Sequence, residues 1–147
     1  MEPSEERFVA GVLPPDMLGL FRSMPVADRR HGLDGAQRLV ASGVDDPDLL
    51  GAALLHDAAK GHRMRLWHRV GGVLLESLAP SILRRLADPA PASWRHPFHL
   101  YLHHAAMSAE LARAAGASAR LASFIDGRVE DADSLLQRAL KAADDAS

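Results

Sequence analysis

His56, Asp57 and Lys60 fall close together in Leu54-Leu55-His56-Asp57-Ala58-Ala59-Lys60. An imidazole, a carboxylate and an ammonium have no role in packing a run otherwise made of leucine and alanine. Buried charge is costly unless it is paired or bound to a metal. Neutral imidazole and ionised carboxylate are ordinary ligands for Zn, Mn and Fe, so a divalent cation answers that cost directly. On this stretch alone the alternative is a salt-bridged pair or a helix end that reaches solvent, because short motifs match often by chance.

The element that must carry these groups reads as a buried helix. Asp46 offers an N-cap acceptor, Pro47 suits the first helical position, and Gly61 supplies a stop. Between them Leu49, Leu50, Ala52, Ala53, Leu54, Leu55, Ala58 and Ala59 make the segment apolar nearly all round, as an interior helix is. The whole chain suits such an interior. Its 147 residues are most simply one domain, long enough to bury a core. Alanine and leucine are abundant and β-branched runs scarce, which predicts an all-α fold. There are no cysteines, so disulfide scaffolds and thiolate sites are excluded. A net charge of −2 gives no strong nucleic-acid signature. No apolar run is long enough to span a membrane, and the acidic, polar first residues do not read as a signal peptide, so a cytoplasmic location is expected.

Residues 1–13 read as a loose leading segment, followed by a short helix over 17–24. A further helix is predicted from about Pro25 to Ser42, ended by Gly43, with Val26, Leu33, Ala36, Leu39 and Val40 on its apolar side. His31 lies within it; a lone histidine there is more often a hydrogen-bonded core or boundary residue than a ligand. After Gly61 the chain turns basic, with His62, Arg63, Arg65, His68 and Arg69, and 65–78 reads as an amphipathic helix. Another runs over 80–86, then a loop over 88–93. His96, His99, His103 and His104 lead into helical spacing over 105–115, capped by Gly116. A short helix over 118–125 breaks at Asp126-Gly127. The last covers 131–143, with Leu135, Leu136, Ala139 and Leu140 facing inward and Asp144 directly after.

His31, His56-Asp57 and Asp144 thus fall on three separate predicted helices, in the order His, His-Asp, Asp. This pattern resembles the HD-domain superfamily of metal-dependent phosphohydrolases, whose motif is H…HD…D in an all-helical, phosphodiesterase-like bundle. The resemblance runs from Ala27 onward, through Arg29-Arg30-His31, Ala53 to Lys60, and Leu140-Lys141-Ala142-Ala143-Asp144. It implies one HD-type domain over residues 1–147. It also implies that His31, His56, Asp57 and Asp144 hold one divalent transition metal (Mn, Fe, Zn, Co or Ni), with Asp57 and Lys60 catalytic. Four protein ligands on a six-coordinate ion leave room for a water and a phosphoryl oxygen, and the ion would lower the water's pKa. The implied substrate is a small phosphorylated compound, a nucleotide or related phosphoester.

Lys60 would reach the substrate phosphate, and Arg65 and His68 would line the site mouth or form a solvated face. Some members of that superfamily build a second metal site from further histidines. His104 is the candidate here, but the next expected histidine falls at Asp126-Gly127-Arg128-Val129. Asp126 could ligate in its place, although an aspartate before glycine is more often a turn former. Arg128 could instead grip substrate phosphate with a fixed charge. Two other functions are open: a catalytically inactive HD module used in binding or regulation, and a di-iron oxygenase on the same scaffold. His62, His96 and His99 need no metal.

Overall fold

A computed structural model of the chain describes residues 1–60, 80–87, 89–90 and 96–147. The regular structure among them is entirely helical: α1 (Pro3–Val12), α2 (Pro15–Ser23), α3 (Val26–Ala41), α4 (Pro47–Leu55), α5 (Pro80–Leu86), α6 (His96–Ala114), α7 (Ala119–Asp126), a 3-10 turn (Asp131–Asp133) and α8 (Ser134–Asp145). The expected all-α class holds among the described residues. No described helix is long and apolar enough to cross a membrane.

Helix α4 lies at the centre, packed against α3, α7 and α8, with α1 and α2 also touching it. Every residue from Leu49 to Leu55 is buried, as its all-round apolar pattern requires. Its start follows the sequence signals: Asp46 Oδ1 accepts from the Leu49 amide at 3.0 Å, behind Pro47 at the first position. Its end does not. The helix closes at Leu55, and the chain continues in tight turns in which the Ala58 amide donates to the Leu55 carbonyl and the Lys60 amide to that of Asp57, each at 3.0 Å. His56 is therefore the C-cap, and Asp57 and Lys60 lie on the turns beyond it. Ser108 on α6 fixes these turns from outside, its buried hydroxyl accepting from the Ala59 amide at 3.0 Å.

Residues 1–13, expected to be loose, form α1 instead. Pro3 occupies the first turn, Glu2 and Glu5 make a reciprocal capping box, and the Glu2 amide donates to Glu5 Oε2 at 2.7 Å. Val9 and Leu13 then sink into the core. Three residues expected on core faces point outward: Val26, Val40 and Leu135 are 73%, 45% and 69% exposed. The buried stripe of α3 runs through Leu33, Ala36 and Leu39, and that of α8 through Leu140 and Ala143.

Two features set the distances between these helices. Gly32 lets α3 lie directly on α4, since a Cβ there would sit 2.9 Å from the Leu54 carbonyl oxygen and 3.0 Å from that of Ala53. Arg120 on α7 ties the start of α4 to the turn before α8. Its guanidinium makes two 2.8 Å bonds to the Asp133 carboxylate and donates to Asp46 Oδ2 at 2.8 Å, with Phe124 beneath it at 4.9 Å.

Candidate metal centre

The close approach at Gly32 brings neighbouring His31 against the end of α4, where the His31 and His56 rings stand 5.2 Å apart at 61°. Asp144, on the last turn of α8, reaches both: its Oδ1 lies 2.7 Å from His31 Nε2 and 3.0 Å from His56 Nε2. These residues, far apart in sequence, place one ligand atom each within 4.8 Å of one another and can hold a metal ion.

The orientation of His56 is fixed by the helix end. Its Nδ1 is 2.9 Å from the Ala53 carbonyl oxygen, which can only accept, so Nδ1 carries the hydrogen and Nε2 presents a lone pair to the cluster. That arrangement is the usual support for a ligating histidine. Three buried atoms here make no hydrogen bond of acceptable geometry: His56 Nε2, Asp57 Oδ1 and Asp144 Oδ1. Asp57 Oδ1 faces the Lys60 ammonium at 2.6 Å, but His56 Nε2 and Asp144 Oδ1, 3.0 Å apart, are two buried acceptors that a cation would satisfy better than they satisfy one another. The spacing agrees. Two ligands each about 2.1 Å from an ion and at right angles lie about 3 Å apart, close to the two nitrogen–oxygen separations seen.

Charge in the cluster is partitioned by these contacts. The His31 and His56 imidazoles beside Asp144 hold its carboxyl well below the usual carboxylate range. Burial pushes Asp57 up, but the charges of His56 and Lys60 outweigh it and keep the group low. Burial alone would depress His56; its contacts with Asp144 and Asp57 raise it instead. The Asp144 side chain is 40% exposed, so the cluster opens to solvent on that side.

The remaining expected residues divide between the cluster and elsewhere. Asp57 is fully buried with Oδ1 3.5 Å from His56 Nε2, beside the three-residue group but not part of it. Lys60 does not stand free: its Nζ is 2.6 Å from both Asp57 oxygens, with the hydrogen bond directed to Oδ2. His104 lines the recess that His56 and Asp144 also line, and its charge acts on Asp57. Arg128 lines a different recess, with Arg120, Ser123, Glu130 and Asp133. Asp126 is occupied in the turn, accepting from the Arg128 amide at 3.1 Å ahead of left-handed Gly127. His99 and His103, rings 4.5 Å apart, border a groove with Ala58, Ala59 and Glu110. His62, Arg65 and His68 lie outside the described residues.

Sequence reasoning missed Gly32, the Ala53 carbonyl and Gln137. The first two act through backbone contacts that side-chain types do not announce. Gln137 had a signal: it precedes Asp144 by two helical turns and so shares its face.

No family model, curated protein or solved structure matches this chain.

Proposed function

We propose that the chain is an HD-type, metal-dependent phosphohydrolase acting on a small phosphorylated compound. The observation that carries this reading is the convergence of His31, His56 and Asp144, in the order of the H…HD…D motif, on one group of buried atoms without hydrogen bonds. His31, His56 and Asp144 would hold the metal, with Asp57 beside them. When bound, a divalent transition metal supplies Lewis acidity to a phosphoryl oxygen and lowers the pKa of water.

The chain's own groups account for the rest. Ala53 keeps the His56 ring in one tautomer. Lys60 keeps Asp57 ionised at neutral pH, and Asp57 Oδ1, 3.5 Å from His56 Nε2 at the edge of the cluster, can accept a proton from the attacking water. The exposed side of Asp144 leaves the approach for substrate. Attack by water forms the new P–O bond as the ester P–O bond breaks, and the leaving oxygen takes up the proton that Asp57 received.

The reading is tested by assaying phosphomonoesters and phosphodiesters with protein loaded with Mn, Co, Zn, Ni or Fe(II). A metal-dependent hydrolysis that falls roughly a hundredfold or more in His56→Ala is expected, as for loss of a group that organises transition-state charge. No hydrolysis of any phosphoester by a correctly metallated chain would favour the inactive binding module.

A further inference from the structure

The recess beside His56 and Asp144 has a volume of about 220 Å³. Away from the metal-binding atoms its wall is mixed, with Ala105, Phe124, Ile125 and Leu140 apolar and His104, Gln137, Lys141 and Asp145 polar. Within that wall the Gln137 amide oxygen is buried with no hydrogen-bond partner. Gln137, Leu140, Lys141 and Asp144 follow one another at the spacing of a single helical face on α8, and all four line the recess. Seven residues of helix place Gln137 about 10 Å along the axis from Asp144.

We propose that this recess binds the organic body of the substrate, and that Gln137 selects a body carrying a hydroxyl or N–H donor. The assignment rests on the reading of the metal centre as the phosphoryl site. A phosphoryl group at Asp144 leaves its ester-linked body extending along α8 over Leu140 toward Gln137. Lys141, between them, is the one lysine or arginine among the described residues of that lining and suits a phosphoryl oxygen. The volume admits a ring-sized group and falls below that of pockets enclosing drug-sized ligands. An unpaired buried acceptor destabilises the free protein, and a ligand donor relieves it. A ligand of the same shape without a donor does not, which is how such a site discriminates. The amide can turn about its last torsion to meet the donor, because no hydrogen bond holds its oxygen in the wall.

The test is calorimetric titration of the manganese-loaded protein with phenylphosphonate and its 4-hydroxy and 4-amino derivatives, whose carbon–phosphorus bond resists hydrolysis. The wild-type chain should bind at least one donor-bearing compound about tenfold more tightly than the parent, the worth of one hydrogen bond made to a buried acceptor. Gln137→Leu should bind all three alike, with a melting temperature no lower than wild type, because the unpaired oxygen is gone. Gln137→Glu keeps an acceptor and should retain the preference. Equal affinities in the wild type, no binding of any compound, or a preference that survives Gln137→Leu would each overturn the proposal. Turnover of phenyl phosphate tests the hydrolase separately. Preference without turnover keeps the binding assignment and loses the hydrolase; turnover without preference does the reverse.

Discussion

Lys60 changes meaning once the end of α4 is known. A helix running through residue 60 would set it four residues after His56, on the metal side. The helix stops at Leu55, and the turns that follow put its ammonium on Asp57 instead. It is therefore the counter-ion of a carboxylate with no solvent exposure. Removing one partner of such a pair leaves the other charged and buried, so Lys60→Ala should cost roughly 3–5 kcal/mol of stability. Urea denaturation in chelator reads this without interference from metal; a loss under about 0.5 kcal/mol, typical of exposed sites, would return Lys60 to solvent. The histidines and Asp144 were readable because their types, order and spacing are uncommon in an alanine-rich chain. The partner of Lys60 was not, because it depends on where a helix frays, and the burial of the Gln137 amide was not, because its spacing from Asp144 announces only a shared face.

Helix boundaries were readable wherever a cap announces itself. Asp46 and Pro47 open α4, and Gly43, Gly116 and Gly127, all with positive φ, follow the ends of α3, α6 and α7. Helix α1 escaped notice because three glutamates and a proline look like a solvated tail until the capping box between Glu2 and Glu5 is recognised. The packing of α3 on α4 was also hidden, since it depends on a missing Cβ. Gly32→Ala should expose it. The added carbon would meet backbone carbonyls, one of which orients His56, and neither can swing aside. The expected result is about 1–3 kcal/mol of destabilisation with metal affinity reduced and helical circular dichroism retained. Wild-type affinity in this variant would show that the spacing of α3 is not what positions His31. The tie between α7 and the turn before α8 has its own pH signature. Arg120 holds the Asp133 carboxyl below its ordinary value, so its contribution is present above the unfolded pKa, near 4, and lost as pH falls through the lower folded value. In urea melts Asp133→Asn should be weaker than wild type at pH 7, and the gap should narrow under acid conditions below pH 4. A gap independent of pH would assign the effect to something other than this ion pair.

The centre joins distant parts of the chain, with His31 from the first third and Asp144 from the last helix. A cation held by both binds the folded chain and not the unfolded one, so metal and stability are linked. Free metal at about a hundred times its dissociation constant should add about 2.7 kcal/mol, seen as a higher melting temperature that Asp144→Ala abolishes. The sequence pointed to this long-range closure through the order of its motif pieces, whereas the recess running from the centre along α8 to Gln137 required the packed helices. The most direct measurement is elemental analysis of wild-type and Asp144→Ala protein, both loaded with manganese and dialysed against metal-free buffer. One metal ion per wild-type chain and nearly none in the variant is the predicted result. Equal metal content in the two proteins, or none in either, would contradict the assignment of His31, His56 and Asp144 as its ligands.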